Sequence, residues 1–176
     1  RLWGRPSAPG RAAMALGWLN ALAPAEAEAT LLRCCGSRAW AQRMAVARPF
    51  TSAPALIEAA ARIWRELSSD DWREAFAAHP RIGERRVADA QAAREQSGVG
   101  GASPETLAAL AQGNRAYESR FGHVFLVCAT GKSADEMLAL LGRRLESDAE
   151  TELRVAAEEQ RKIAELRLKK LLEGAA

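Results

Sequence analysis

The stretch AAHPRIGERR, residues 77–86, contains one of only two histidines in the chain, and its setting suits a group that transfers protons. His79 stands at the end of a predicted helix, where the helix dipole favours a positive charge. Pro80 follows it directly and restricts it to extended or turn conformations. Since the ordinary pKa of histidine lies near neutrality, an imidazole held in this way can act as a general acid or base. The same residues also fit a simple helix stop, and both interpretations stay open at this point.

A carboxylate and an amide, Glu95 and Gln96, end the predicted helix that follows HPRIG. By helical spacing, Ala88, Gln91 and Glu95 share one face of that helix. One interpretation is a solvated helix end. The other is a hydrogen-bonding pair beside a binding cleft, with the carboxylate accepting and the amide able to do both.

Arg167 lies in phase with the apolar stripe of the predicted last helix. The stripe comprises Leu153, Ala156, Gln160, Ile163, Arg167 and Leu171. An arginine at the edge of such a stripe can pack its stem and keep its head in water. An inward guanidinium would instead require an anion, because a lone buried charge is costly. A substrate carboxylate could supply that anion through two parallel hydrogen bonds.

The run HVFLVCATG, residues 123–131, is apolar and stands between two predicted helices. Periodicity does not distinguish a strand from buried extended chain in so short a run. Its backbone groups need partners in either case. They can pack into the core, or some of the N–H groups can be donors to negative charge that develops on a bound molecule.

The elements around these residues are predicted to be a string of helices. Prolines, glycines and serines mark the ends, and the segments between them are rich in good helix formers. Predicted starts are Pro24, Ser37, Ser52, Ser69 and Ser103-Pro104, with capping boxes at Ser133/Glu136 and Ser147/Glu150. We predict an all-α fold, a single-domain multi-helix bundle of roughly seven to nine helices with no significant sheet.

Length and composition narrow the class of protein. The chain has 176 residues, which suits one domain, and we assign residues 14–176 to it. Residues 1–13, rich in Arg, Pro and Gly, are predicted to be a tail that is disordered or not native. The 25 basic and 22 acidic residues are interleaved, which argues against nucleic-acid binding. No apolar run is long enough to span a membrane.

The cysteines and the chain end indicate a compartment. Cys34, Cys35 and Cys128 are odd in number and two are adjacent, so a disulfide framework is not expected. They also lack zinc-ligand spacing, and we expect no metal site. A reducing compartment fits best. The chain ends EGAA and carries no peroxisomal address, so a cytoplasmic location is expected.

Taken together and in order, these motifs resemble one family, the OHCU decarboxylases, where OHCU is 2-oxo-4-hydroxy-4-carboxy-5-ureidoimidazoline. The resemblance extends from about residue 18 to the end. The matching pieces are RPF (48–50), HPRIG (79–83), EQSG (95–98), NRAYESRFG (114–122), FLVCA (125–129) and KIAELRL (162–168).

The resemblance implies a fold, an activity and an assembly. Members are all-α, usually homodimeric, and use no cofactor. They convert OHCU to (S)-allantoin and CO2, the third step of urate breakdown after urate oxidase and hydroxyisourate hydrolase. The implied partners of this chain are therefore the small molecule OHCU and a second copy of itself, without nucleic acid or membrane.

The resemblance also implies residue roles. His79 matches the catalytic histidine, which we take as the general acid/base, and Glu95 and Arg167 match the groups that bind the substrate during catalysis. The remaining implied substrate contacts are Pro80, Ala92, Arg94, Gln96, Phe125, Leu126, Val127, Cys128 and Ala129.

The sequence departs from the family pattern at two places. Ala92 stands three residues before the glutamate, where the family often has a serine, so one hydroxyl contact to the substrate is missing. His123 and Val124 stand where the family tends to have phenylalanine, which changes the pocket wall. His123 itself is predicted to be structural.

Two alternatives to OHCU decarboxylation remain at the level of sequence. One is a non-enzymatic helical interaction module, in which HPRIG is a plain turn and the charged last helix docks a partner. The other is a related enzyme that acts on a different ureido acid, which the Ala92 departure favours. The enzyme hypothesis requires His79, Glu95 and Arg167 to converge on one cavity.

Overall fold

The computed structural model describes residues 9–84 and 90–174, and this part of the chain is all-α. It contains nine α-helices, one 3₁₀ turn (Ser97–Val99) and no strand, which confirms the predicted fold class. The helices are α1 (Arg11–Ala21), α2 (Pro24–Leu32), α3 (Arg38–Val46), α4 (Ala53–Glu66), α5 (Ser69–Ala77), α6 (Ala90–Glu95), α7 (Pro104–Phe121), α8 (Ala134–Arg144) and α9 (Ala149–Leu172). None of the helices within the described ranges is long and apolar enough to cross a membrane.

The chain divides into two compact units, and the first lies within residues 1–66 and 164–176. It contains α1 to α4 and the last turns of α9. The core side chains are fully buried and include Leu19, Leu31, Trp40, Met44, Leu56 and Leu168. The Trp40 indole N–H donates to the carbonyl of Ala60 at 3.1 Å, which ties α3 to α4 and satisfies the polar end of a buried aromatic.

The RPF motif has a structural role in this first unit. Nη1 of Arg48 donates to the carbonyls of Leu19 and Leu22, both at 2.8 Å. These carbonyls belong to the end of α1, where backbone acceptors lack partners within the helix. Asn20 adds two hydrogen bonds to the backbone of Phe50. The arginine of RPF therefore closes α1 against the chain that follows α3.

The second unit lies within residues 67–163 and contains α5 to α8 and most of α9. Its core consists of Ile82, Val99, Leu110, Tyr117, Phe125, Val127, Ala129, Ala134, Met137 and Leu141. Helices α7 and α8 approach closely at Gly113, where a Cβ would lie 2.5 Å from Cδ2 of Leu141. The absence of a side chain at Gly113 is what allows this packing.

Two predicted capping residues are wrong by one position. Helix α5 is capped by Ser68 instead of Ser69, because Ser68 and Asp71 form a reciprocal capping box. Helix α9 begins at Ala149, and Asp148 accepts from the backbone N–H of Thr151 at 2.8 Å. Asp148 therefore does what was predicted for Ser147. The predicted caps at Ser37, Ser103 and Ser133 are confirmed by side-chain hydrogen bonds.

Helices α1 and α6 both begin next to residues that the structure does not describe or that were predicted as a tail. Helix α1 begins at Arg11, before Met14, while residues 1–8 of the predicted tail lie outside the described residues. Of the helix predicted after HPRIG, the structure describes α6 from Ala90 onward, and residues 85–89, including Ala88, lie outside it. The 3₁₀ turn Ser97–Val99 follows α6 directly, so Gly98 lies within a turn.

Candidate functional site

The candidate catalytic histidine lies just beyond α5. The capping box at the start of α5 and the bond from the His79 N–H to the carbonyl of Phe76 (3.1 Å) fix both ends of this short helix. His79 and Pro80 are half-buried. The imidazole Nε2 lies 2.7 Å from Oε1 of Gln160 on α9. Because an amide oxygen only accepts hydrogen bonds, Nε2 of His79 carries the hydrogen in this arrangement.

Gln160 contacts the candidate histidine, and the sequence analysis did not assign it. Its side chain is fully buried, and it connects the HPRIG segment to α9. The sequence does carry a signal for it, since Gln160 shares the apolar stripe with Arg167 and is equally polar. Unlike an arginine, a glutamine carries no charge that demands a counter-ion, so its position in the stripe is a weaker indication of function.

The amide of Gln96 ties the HPRIG turn to the end of α6. Its Oε1 accepts from the backbone N–H of Gly83 at 3.1 Å. Gly83 has φ 84°, a left-handed conformation that glycine adopts without strain. Asn114 on α7 donates to the carbonyl of Ile82 at 2.9 Å. The turn after His79 is therefore held from two sides, and Gln96 has a structural partner besides any bound molecule.

Carboxylates of two helices lie within electrostatic reach of Cys128. Burial raises the pKa of the Cys128 thiol; Lys132 opposes this shift, and Glu159 and Glu95 add to it. The half-buried Glu95 and Glu159 of α9 thus belong to one polar neighbourhood around Cys128. Lys132 also donates to the Cys128 carbonyl at 2.7 Å.

The segment Phe125–Ala129 belongs to no helix or strand and is buried at every residue. Arg144 of α8 contacts this segment in two ways. Nη1 of Arg144 donates to the carbonyl of Leu126, and the guanidinium lies 4.7 Å from the centre of the Phe125 ring. Glu152 of α9 pairs with Arg144 at 2.5 Å and also accepts from the hydroxyl of Tyr117. The position of this backbone is therefore set by a buried ion pair, which sequence reasoning missed.

The remaining predicted contacts differ in exposure. Ala92 is buried at 3% exposure, whereas Arg94 is exposed. The half-buried His123 packs its ring against Phe76 and Tyr117, at 5.2 Å and 5.5 Å between centroids. Burial lowers the pKa of His123. These contacts support the structural role predicted for His123.

Arg167 is buried, at 9% exposure, and belongs to the first unit. Its Nη1 donates to the carbonyl of Arg33 at 3.4 Å. Burial raises the pKa of the neighbouring Cys34 thiol to about 11, although Arg167 and Arg33 act against this shift. Of the two interpretations that the helical stripe left open, the burial of Arg167 agrees with the inward one. Its convergence with His79 and Glu95 stays a prediction.

The described residues contain no group of three or more His, Cys, Asp or Glu side chains that could hold a metal ion. The second unit contains a histidine hydrogen-bonded to a buried amide, two carboxylates that act electrostatically on Cys128, and the buried segment Phe125–Ala129. Such a site suits proton transfer and hydrogen bonding to a small polar molecule. The fold and the candidate site thus describe a class, all-α proteins with a histidine and buried polar groups on neighbouring helices.

The chain belongs to the OHCU decarboxylase family, whose model matches residues 20–169. It is 37% identical over 145 residues to the uric acid degradation bifunctional protein TTL of Arabidopsis thaliana. This match covers 78% of this chain but only 45% of the Arabidopsis protein. It is 34% identical over 133 residues to 2-oxo-4-hydroxy-4-carboxy-5-ureidoimidazoline decarboxylase of Haloferax volcanii, covering 73% of this chain and 77% of that one.

A solved structure of OHCU decarboxylase in the presence of (S)-allantoin has the same fold, with a TM-score of 0.73 and 37% sequence identity. The match covers 80% of this chain and 95% of that one. A crystal structure of (S)-allantoin synthase matches with a TM-score of 0.67 at 22% identity, which shows likeness of fold alone.

Proposed function

We propose that this protein decarboxylates OHCU to (S)-allantoin and CO2, without a cofactor, as a step in urate degradation. The family match over residues 20–169 carries the proposal, because that span includes every predicted site residue. The names of the relatives from Arabidopsis thaliana and Haloferax volcanii, which concern uric acid degradation and OHCU decarboxylation, support it.

The substrate provides its own electron sink in this proposal. Breaking the bond between the ring carbon and the carboxylate releases CO2 and leaves an electron pair on that carbon. An adjacent carbonyl or imine takes up this pair as an enolate-like system, and one proton delivered to one face of the ring completes (S)-allantoin. The tasks left to the protein are to orient the carboxylate, stabilise the developing charge and supply the proton.

His79 is the proton-transferring group in this scheme. The bond to Gln160 fixes its ring, and the Pro80 peptide fixes its backbone. Glu95 accepts hydrogen bonds from ring and ureido N–H groups, and Gln96 assists. Backbone N–H groups of Phe125–Ala129, a segment that Arg144 holds in place, donate to the oxygen that becomes negative.

Arg167 binds anionic oxygen of the substrate. Seven residues, or about two helical turns, separate Gln160 from Arg167 along α9, so both belong to the same stripe of that helix. The guanidinium is buried and donates to the carbonyl of Arg33. A guanidinium can also hold a substrate carboxylate through two parallel hydrogen bonds.

A related ureido acid is the second candidate substrate, and Ala92 is the observation that favours it. A buried methyl group at this position offers no hydroxyl to the ring of OHCU. A comparison of OHCU with other ureido acids, in the wild type and in Ala92→Ser, distinguishes the two substrates.

The proposal also includes a homodimeric assembly, a cytoplasmic location and the assignment of residues 14–176 to one functional domain.

The decisive experiment is a stereochemical assay. OHCU is generated in situ from urate, and (S)-allantoin is followed by circular dichroism with and without the protein. The proposal predicts rapid appearance of a single enantiomer. Racemic allantoin forming at the uncatalysed rate would overturn it and would favour the interaction-module alternative.

A further inference from the structure

In the buried amide of Gln160, the oxygen has a hydrogen-bond partner and the nitrogen has none among the described residues. Its Oε1 accepts from Nε2 of His79 at 2.7 Å. Its Nε2 is buried and has no hydrogen-bond partner among the described residues. The whole residue has 0% exposure, so bulk water does not satisfy this donor.

An unsatisfied buried amide is energetically unfavourable, since leaving such a donor without an acceptor costs about 1–3 kcal/mol. Nearly all buried polar groups in folded proteins are paired, and the exceptions concentrate where a ligand or ordered water completes the site. Leucine or methionine would fill the same place on α9 without this cost. The location of the donor beside the proton-transferring histidine points to a bound molecule as its acceptor.

We infer that Gln160 is a further substrate-binding residue, which fixes the Nε2–H tautomer of His79 through its Oε1 and donates from its Nε2 to an oxygen of the bound substrate. The inference rests on the proposed function for the identity of that oxygen, a carboxylate or carbonyl of OHCU. It does not rest on that function for the contact with His79, which is a property of the free protein.

The two ends of the amide act at different stages of the reaction. A fixed tautomer leaves the ring with one defined nitrogen for proton transfer, so its loss lowers kcat. A donor to a substrate oxygen contributes to binding, so its loss raises KM. Because one rigid amide makes both bonds, the substrate oxygen is also held at a fixed position relative to the imidazole.

Two variants separate these effects. Gln160→Met keeps the length of the side chain and removes both polar ends. Gln160→Glu keeps an oxygen toward His79 but replaces the donor with a second acceptor. Gln112→Met, at an exposed position of α7, is the matched control. Thermal unfolding of each variant shows that it is folded.

The expected results differ for each variant. Gln160→Met lowers kcat by about tenfold to 100-fold and raises KM, the range expected for loss of hydrogen bonds to an ionisable group. Gln160→Glu raises KM more than it lowers kcat, because a carboxylate oxygen faces the substrate oxygen. Gln112→Met behaves as the wild type. Wild-type kcat and KM in folded Gln160→Met would overturn the inference.

The tautomer is measured independently of turnover. With only two histidines in the chain, a long-range ¹H–¹⁵N spectrum resolves both rings, and His123→Phe assigns them. The wild type and Gln160→Glu are expected to show the Nε2–H form of His79, and Gln160→Met a mixture. An unchanged tautomer in Gln160→Met would overturn the positioning role. If the wild type does not convert OHCU, the proposed function fails, while this spectrum still tests the contact with His79.

Discussion

Single buried polar atoms determine most of what this site can do. The bond from His79 to Gln160 selects a ring tautomer, and the pair Arg144–Glu152 holds the backbone carbonyl of Leu126. Each contact joins groups that would be costly to bury alone. The residues that touch a substrate therefore depend on others that do not, and substitutions at these two levels should have different effects.

Substitution of His79 tests its assignment as the general acid/base. We expect His79→Asn to lower the rate of OHCU decarboxylation by at least ~100-fold, the usual scale for acid–base catalysis, because asparagine cannot exchange a proton near neutrality. The assay uses freshly generated OHCU. His123→Phe is the matched control and should retain activity, since His123 packs among aromatic rings. A near-normal rate for His79→Asn would refute the assignment.

Removal of Glu152 tests the buried ion pair. Glu152→Leu leaves Arg144 and the Tyr117 hydroxyl without their shared carboxylate, and we expect a loss of about 3–5 kcal/mol in the free energy of unfolding. Urea denaturation measures it. The control is Glu150→Leu, in the same helical turn, whose exposed pair with Arg154 should contribute less than about 1 kcal/mol. Equal losses in the two variants would show that the buried pair is not stabilising.

At the scale of elements, short helices and turns carry the site residues and fix where they point. The Ser68–Asp71 capping box starts α5, which ends at Ala77, two residues before the histidine. The 3₁₀ turn after α6 packs against the loop before α8, and Gly98 lies at this contact. The EQSG motif therefore positions Glu95 and Gln96 as much through its glycine as through its polar residues.

Enlarging Gly98 should disturb this contact. A Cβ at this position would lie 2.0 Å from the carbonyl oxygen of Lys132, and a backbone atom cannot yield without moving the loop. We expect Gly98→Ala to lower the free energy of unfolding by about 1–3 kcal/mol and to reduce kcat/KM. Gly101→Ala, where the added Cβ meets nothing within 4 Å, is the control for denaturation and assay. Wild-type stability and activity in Gly98→Ala would contradict the close contact.

At the scale of the whole molecule, buried acidic groups link folding to alkaline pH. All three cysteines are free and buried. Burial raises the pKa of Cys34 from 9.0 to about 11. Burial, followed by the hydrogen bond with Glu152, also raises the pKa of Tyr117. In the unfolded chain both groups lose their protons at lower pH than in the folded protein.

Stability should therefore fall as pH rises. Between pH 9 and 11 the unfolded chain releases the Cys34 proton while the folded protein retains it, so rising pH favours unfolding. The Cys34 contribution is about 2–3 kcal/mol over this range and is fully present below pH 9. Urea titrations at several pH values measure it. Cys34→Ala should show a shallower decline, and an identical pH dependence would contradict the role of this thiol.

Most helices of this protein can be predicted from its sequence, because helix propensity and capping depend on residues that are close together in the chain. Helix formers between prolines, glycines and serines predict roughly seven to nine helices, and the described residues contain nine, of which α1 was not among the predicted starts. The caps at Ser37, Ser103 and Ser133 lie where expected. The predicted capping residues of α5 and α9 are wrong by one position because neighbouring Ser and Asp side chains compete for the same backbone N–H groups. Helical spacing placed Arg167 in phase with the apolar stripe but left its head either in water or inward, and its burial in the structure favours the inward interpretation.

The partners of buried polar groups were decided only by the tertiary structure. Gln160 meets His79 across 81 positions of sequence, and Arg144 reaches Leu126 and Glu152 from a different helix. Helical periodicity predicts which side chains face the core, but it does not predict which hydrogen-bond partner each of them meets. The sequence by itself thus determined the helices, the family resemblance and the candidate site residues. Folding decided which amide holds the histidine and which ion pair holds the backbone, because hydrogen bonds depend on distances that only packing defines.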